Sequence, residues 1–175
     1  PDTACYVIRS RDKGETWGDL TLVGRPRRGE TGYYEPAILD LGGGRLMIMI
    51  RTYPLCNLYQ SFSDDYGYTW TEPTRTPIIA NNPPHLLLLK NGHIVCTYGR
   101  RRPPYGVRAC ISEDGGRSWN VDEEIVLRDD GASWDCGYPS SVQLDDGSIL
   151  TVYYIHHGDG IRYIAGTIWW EDEVK

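Results

Sequence analysis

The sequence predicts an all-β fold of repeated antiparallel sheets, arranged as a β-propeller of four-stranded blades. Three observations lead to this prediction. One octapeptide occurs three times, a second motif of 17 residues recurs between the octapeptides, and no segment shows the amphipathic periodicity of a helix. A radial stack of small sheets explains so regular a repeat better than a two-sheet sandwich does.

The octapeptide fits the pattern S-x-D-x-G-x-[ST]-W. It occurs as SRDKGETW from Ser10, as SDDYGYTW from Ser63 and as SEDGGRSW from Ser112, so that the starts lie 53 and 49 residues apart. This spacing is typical of repeat proteins in which each unit forms one small sheet.

The shared residues of the octapeptide predict a closed loop rather than a reactive site. Aspartate and serine accept hydrogen bonds from turn N–H groups, glycine allows a positive φ, and we expect the tryptophan to fill the gap between neighbouring sheets. Catalytic carboxylates or calcium ligands would not need a copy in every unit. The residues given this structural role are Ser10, Asp12, Gly14, Trp17, Ser63, Asp65, Gly67, Trp70, Ser112, Asp114, Gly116 and Trp119.

The 17-residue motif predicts the first two strands of each sheet. It reads EPAILDLGGGRLMIMIR from Glu35, PPHLLLLKNGHIVCTYG from Pro83 and YPSSVQLDDGSILTVYY from Tyr138, and the three copies align without gaps. Each copy has short apolar runs on either side of a glycine-containing turn, which is the signature of a β-hairpin.

A third strand is expected before each octapeptide and a fourth after it. The third strands are predicted at residues 5–9, 57–62, 106–111 and 162–169, and the fourth strands at 20–23, 76–79 and 124–127. The whole chain, 1–175, is thus one partial propeller arc with units at 1–23, 33–79, 83–128 and 137–170. These units make about three blades, whereas a closed propeller typically has at least four. We therefore expect either part of a longer protein or a homodimer that completes the ring.

Composition and charge exclude several classes of protein. The net charge is −6 and the only basic tract is Arg100–Arg102, so no nucleic-acid partner is expected. No apolar run reaches the ~18 residues of a membrane span. The five cysteines lack zinc-site spacing, so no metal or cofactor is predicted and the disulfide state stays open. The chain begins Pro1-Asp2-Thr3, as a truncated, processed or partial chain would, which leaves the compartment undetermined.

The octapeptide resembles the Asp box of the sialidase (neuraminidase) and BNR-repeat superfamily. The resemblance covers essentially the whole chain, because three boxes recur at the spacing of blades. It implies a six-bladed propeller with the boxes on the periphery, of which this chain resembles the C-terminal half.

The candidate catalytic residues follow from the aligned motif. In a propeller the first strand of each blade lines the axis, so Glu35 and Tyr138, which share the first column of the motif, are expected at one mouth. The resemblance implies Tyr138 as nucleophile and Glu35 as its base, as in sialidases. The alternatives from the residues alone are a rim carboxylate for Glu35 and an aromatic wall for Tyr138.

The resemblance also implies three arginines that bind the substrate carboxylate, two of which can be matched in this chain. Arg51 and Arg108 match these positions, although a surface salt bridge is the alternative for each, and Arg100–Arg102 compete with them. His85 is a candidate substrate contact at the same mouth. The superfamily's first arginine and its acid/base aspartate have no counterpart here, so we expect little activity from this chain alone.

Three functions remain open from the sequence. The first is a retaining sialidase-like exo-glycosidase that acts on a sialoside or another acidic glycan. The second is another carbohydrate-active propeller enzyme, since Asp boxes specify a scaffold and not a substrate. The third is a non-catalytic BNR-repeat module that binds a glycan or a protein.

Overall fold

The computed structural model describes residues 3–174 as four antiparallel sheets in chain order. The first sheet contains β1 (Cys5–Arg9) and β2 (Gly18–Gly24). The second contains β3 (Gly32–Gly42), β4 (Arg45–Tyr53), β5 (Asn57–Ser63) and β6 (Thr74–Ile79). The third contains β7 (His85–Leu88), β8 (Ile94–Arg100), β9 (Tyr105–Ser112) and β10 (Ile125–Gly131). The fourth contains β11 (Gly137–Gln143), β12 (Ile149–Ile155) and β13 (Tyr163–Trp169), followed by a 3₁₀ helix at Glu171–Val174.

The predicted all-β, antiparallel organisation is confirmed. Every sheet is a meander in which each strand pairs with the next one along the chain, and the three copies of the 17-residue motif form the hairpins β3–β4, β7–β8 and β11–β12. The strand β7 begins only at His85. Pro83 and Pro84 precede it, and a proline has no N–H to donate to a strand ladder. The short 3₁₀ helix was not predicted.

Three apolar clusters hold the sheets face to face in chain order. The first joins the first and second sheets through Cys5, Val23, Ile48 and Ile50. The second joins the second and third sheets through Met47, Met49, Leu58, Ile78, Leu86, Ile94 and Trp119. The last joins the third and fourth sheets through Val95, Val107, Ile125, Ile149, Tyr153 and Trp169. Burial of these side chains stabilises the stack by about 1.5–3 kcal/mol for each large residue.

The three Asp boxes lie between paired strands, namely β1 and β2, β5 and β6, and β9 and β10, and they form closed hydrogen-bonded loops. In the second box, Ser63 Oγ accepts from Gly67 N at 2.8 Å, while Asp65 accepts from Thr69 N at 2.8 Å and from Thr69 Oγ1 at 2.6 Å. These bonds from the side chain and backbone of Thr69 lower the pKa of Asp65 to about 2. The first and third boxes repeat the contacts through Asp12 and Asp114.

The box tryptophans differ in how far they are buried. Trp119 is only 6% exposed and donates from Nε1 to Gln60 Oε1 of the second sheet at 2.9 Å, so it fills the gap between two sheets as expected. Trp70 packs against the cluster between the first and second sheets. Trp17 is 62% exposed, and the expectation that it fills a gap is wrong for it, because no earlier sheet of residues 3–174 lies against the first one.

Within residues 3–174, no helix has the length and apolar character needed to cross a bilayer. The same residues contain no group of three or more His, Cys, Asp and Glu side chains arranged to hold a metal ion. All five cysteines are buried as free thiols, and burial raises the pKa of Cys5 and Cys110 to about 11. Such thiols behave as small apolar core residues.

Candidate active site

The backbone of β3 and β11 has the same irregularity at the same place. Glu35 has a φ of 37° and Tyr138 a φ of 50°, and a register shift interrupts the strand pairing at both positions. A positive φ is costly for residues other than glycine and is concentrated at functional sites. Glu35 and Tyr138 are the first residues of their copies of the 17-residue motif. The remaining copy begins with Pro83, whose ring fixes φ near −65° and forbids the same conformation.

These two irregular positions bring Glu35 and Tyr138 together. Tyr138 Oη donates a hydrogen bond of 2.8 Å to Glu35 Oε1, and Arg51 Nη1 donates to the other carboxylate oxygen, Oε2. The third sheet lies between the two partners, since β7 contacts both β3 and β11. The predicted proximity of Glu35, Arg51 and Tyr138 is therefore observed, while their catalytic roles stay predictions.

The surroundings of Tyr138 favour the protonated form of its hydroxyl. Burial raises its pKa, and the hydrogen bond to Glu35 and the negative charge of that carboxylate raise it further, while Arg51 and Arg101 oppose the effect. The tyrosine remains 47% exposed. A neutral phenol that already points its proton at a carboxylate is arranged for transfer of that proton when the oxygen attacks.

His85 lies at the start of β7, between the strands that carry this pair. Its Nδ1 accepts a hydrogen bond of 3.3 Å from Ser141 N, which places the ring proton of the neutral imidazole on Nε2. Burial lowers the pKa of His85 and thereby favours the neutral ring. The predicted contact between His85 and a substrate stays a prediction.

Arg108 is buried and makes its contacts outside the Glu35–Tyr138 pair. The residue is 2% exposed, its guanidinium donates to the carbonyl oxygens of Val107 and Arg128, and its Nε lies 3.5 Å from Glu124 Oε2. Burial lowers its pKa. Among residues 3–174 no hydrogen bond or ion pair joins Arg108 to Glu35 or Tyr138. The described residues thus do not bring Arg108 into contact with the pair, and its predicted binding of a substrate carboxylate stays a prediction.

The sequence analysis missed a tyrosine that supports Tyr138. The rings of Tyr138 and Tyr154 lie 5.9 Å apart between centroids, at 46°. Tyr154 Oη donates to Asp135 Oδ1 at 2.7 Å, and Arg162 Nε donates to Asp135 Oδ2 at 2.8 Å. The aligned motif did contain a sign that Tyr154 belongs to the site. Tyr154 is the last residue of its 17-residue motif, where the first copy has Arg51, so in both copies the last residue contacts the first.

A cavity of about 340 Å³ lies elsewhere, at the third Asp box. Its walls include Asp114, Trp119, Glu123 and Glu171 but none of the residues around Tyr138. Asp114 and Trp119 already use their polar atoms within the fold. The Glu35–Tyr138 pair, by contrast, lies on an open surface, and we regard it as the candidate active site.

The family model of the BNR repeat-like domain matches residues 2–152, so the chain belongs to the BNR repeat-like family. This confirms the relationship to the sialidase and BNR superfamily that the Asp boxes indicated. A comparison with curated proteins found no significant match.

Solved structures show similar folds. A protein of unknown function from Dyadobacter fermentans has a TM-score of 0.80 and 31% identity, over 94% of this chain and 45% of that one. A Hadza microbial sialidase has a TM-score of 0.71 and 18% identity, over 94% and 38%. An α-L-arabinofuranosidase of Fusarium graminearum has a TM-score of 0.65 and 16% identity, over 78% and 45%. This chain therefore spans less than half of each structure, and the likenesses show a β-propeller-like fold.

Proposed function

We propose that this chain carries the nucleophile of a retaining, sialidase-like exo-glycosidase that acts on a sialoside or another acidic glycan. The observation that carries the proposal is the hydrogen bond of 2.8 Å from Tyr138 Oη to Glu35 Oε1. Membership of the BNR repeat-like family and the propeller-like fold support it.

The first step forms a glycosyl–tyrosine bond. Tyr138 Oη attacks the anomeric carbon while its proton passes to Glu35 Oε1, and the bond from that carbon to the leaving oxygen breaks. The anomeric carbon of a sialoside carries a carboxylate, which would repel an anionic nucleophile. A phenol that stays neutral until it attacks avoids this repulsion.

The second step releases the sugar. Water attacks the same carbon from the face that the leaving group vacated and gives a proton to the group that protonated the leaving oxygen, which further polypeptide or a second copy would supply. At the same time the bond to Tyr138 breaks, and the phenolate recovers its proton from Glu35. Two inversions at one carbon give net retention. Neither step uses a metal or another cofactor, and no such group is part of the proposal.

Arg51 has guanidinium N–H groups that could bind a substrate carboxylate in addition to Glu35. The one hydrogen bond that its guanidinium makes to residues 3–174 goes to Glu35, and its side chain is 17% exposed. A guanidinium can hold two carboxylates through different N–H groups. We therefore assign Arg51 to orient Glu35 and to bind the acidic substrate group.

The general acid and the further arginine that this reaction needs would come from further parts of a propeller. We propose that the four sheets are about three blades of a six-bladed ring, and that further polypeptide or a second copy of this chain supplies the acid that protonates the leaving oxygen and a further arginine. A positioned general acid contributes about 10²–10⁴-fold. Substrates with good leaving groups need it least.

A neutral sugar substrate is the second candidate. Arg108, which was expected to bind a carboxylate, is 2% exposed and donates to backbone carbonyl groups, so Arg51 is the one predicted arginine that contacts the Glu35–Tyr138 pair. The similarity to an α-L-arabinofuranosidase is consistent with this alternative.

Hydrolysis of aryl glycosides by the purified chain tests these candidates. The panel would contain an aryl sialoside, uronoside, rhamnoside and arabinofuranoside, because an aryl leaving group departs with little protonation. Turnover of the sialoside or uronoside supports the first candidate, and turnover of the neutral sugars alone supports the second. Glycan binding without any turnover would overturn both in favour of a binding module.

A further inference from the structure

The loop between β10 and β11 is fixed on both sides by hydrogen bonds. On one side Ala132 N donates to His156 O at 3.0 Å, and Ser133 Oγ pairs with His156 Nε2 at 2.7 Å. On the other side Asp135 accepts from Tyr154 Oη at 2.7 Å. Because its neighbours on both sides are tied to β12 and to the segment after it, the backbone of Trp134 has little freedom to move.

Trp134 nevertheless exposes its ring at the tip of this fixed loop. The residue is 57% exposed. Single exposed apolar residues are common and usually mean little. Here a large aromatic is held in place without being buried, which is the arrangement of a preformed contact surface for a ligand.

Arg101 lies beside the ring. Its guanidinium carbon is 5.2 Å from the centroid of the Trp134 ring, within the range of a cation–π contact. Its Nε finds no hydrogen-bond acceptor among the described residues. That Nε is buried, so a ligand would meet the terminal Nη groups of this cationic neighbour of the indole.

This surface is adjacent to the proposed nucleophile. Asp135 follows Trp134 directly and binds Tyr154, whose ring packs against Tyr138. Arg101 also lies close enough to Tyr138 to act on it electrostatically. One peptide bond and the side chains of Asp135 and Tyr154 therefore connect Trp134 to the ring whose oxygen would attack.

We propose that Trp134 and Arg101 form a subsite for the sugar on the leaving-group side of the scissile bond. A pyranose ring presents apolar C–H groups on one face, which pack well on an indole, and hydroxyl oxygens at its edge, which accept from a guanidinium. The preferred ligand is thus an acidic terminal sugar linked to a neutral pyranose. The assignment of the leaving-group side rests on the proposed function, whereas the sugar contact itself does not.

The test follows the indole N–H signals of the ¹⁵N-labelled chain by NMR, with sialyllactose, lactose and a methyl sialoside as probes. We expect sialyllactose and lactose to shift the Trp134 signal and the methyl sialoside to leave it in place. Trp134→Ala identifies the signal and should weaken sialyllactose binding about tenfold, or about 1.4 kcal/mol. Trp17→Ala, which removes another exposed indole, should leave the affinity unchanged.

The outcomes separate this proposal from the proposed function. A Trp134 signal that does not move with about 10 mM sialyllactose, the weak end of measurable affinity, would overturn the subsite. Equal losses in Trp134→Ala and Trp17→Ala would do the same. A shifted Trp134 signal in a chain that hydrolyses no glycoside would keep the sugar contact and overturn the glycosidase.

Discussion

Tyr138 Oη lies 2.8 Å from Glu35 Oε1, although 103 residues of sequence and a complete sheet separate the two. Both residues open the same 17-residue motif, and both have a positive φ. The repeat therefore creates two equivalent irregular positions, and the stacking of the sheets turns them toward one another. The intervening copy has Pro83 in this column, which cannot adopt that backbone or provide a polar group.

Replacing the nucleophile should abolish turnover without unfolding the chain. In Tyr138→Phe we expect hydrolysis of the best aryl glycoside to fall by at least about 10³-fold, since no second oxygen would attack in its place. The melting temperature should hardly change, because the side chain is 47% exposed. Tyr66→Phe, at the tip of the second Asp box, serves as the control and should retain full activity. Activity of Tyr138→Phe within twofold of the parent would disprove the assignment.

Removing the base should slow the reaction while leaving the tyrosine in place. Glu35→Gln keeps the size of the side chain but cannot take the proton, so kcat/KM should fall about 10²–10⁴-fold. Glu30→Gln changes an exposed carboxylate nearby in the sequence and should have no effect. Steady-state kinetics on the same aryl glycoside measure both variants, and equal rates for the two would show that Glu35 is only a rim carboxylate.

The box tryptophans should differ sharply in their effect on stability. Trp119 is 6% exposed and donates a hydrogen bond to Gln60 of the preceding sheet, so Trp119→Ala should lower the free energy of unfolding by about 3–5 kcal/mol. Trp17 occupies the same place in its box but is 62% exposed, so Trp17→Ala should cost less than about 0.5 kcal/mol. Urea unfolding would measure both values. Similar losses would mean that the stack of sheets is not as described.

The Asp boxes should make the fold sensitive to acid. Hydrogen bonds from Thr69 hold the pKa of Asp65 at about 2, below its ordinary value of 3.8. Because the folded state lowers this pKa, the stabilisation is complete above about pH 4 and is lost as the pH falls toward 2. We expect Asp65→Asn to lower the thermal midpoint at pH 7, and the gap to the parent to close near pH 2.

The neighbouring carboxylate provides the control for this experiment. Asp64 is exposed in the same loop, so Asp64→Asn should follow the parent at every pH. Thermal scans across pH 2–8 would test this. A gap between Asp65→Asn and the parent that stays constant down to pH 2 would be inconsistent with the lowered pKa.

The strand order and much of the site could be predicted because the repeat is so regular. A gapless alignment places Glu35 and Tyr138 in one column, and residues of one column occupy equivalent places in successive sheets. The same alignment contained Tyr154 in the column of Arg51, but a tyrosine there suggested only another strand residue. Its importance depends on the ring contact with Tyr138, which the sequence does not reveal.

Arg108 shows what a match to a family pattern cannot predict. The resemblance implied a side chain available to the carboxylate of a ligand. The pairing of β9 with β10 is irregular beside it, and the carbonyl group of Arg128 lies within reach of its guanidinium. Which buried acceptors surround a side chain depends on such local shifts, and these are not visible in a repeat pattern.

The most direct test of the central claim is to trap the sugar on its nucleophile. A 2,3-difluoro sialoside loses fluoride without protonation, and its second fluorine slows release of the bound sugar, so peptide mapping by mass spectrometry can locate the adduct. We predict one glycosyl group on Tyr138, formed much more slowly in Glu35→Gln. A glycosyl group on any other residue, or none under conditions where the sugar is bound, would contradict the assignment of Tyr138 and Glu35 as the catalytic pair.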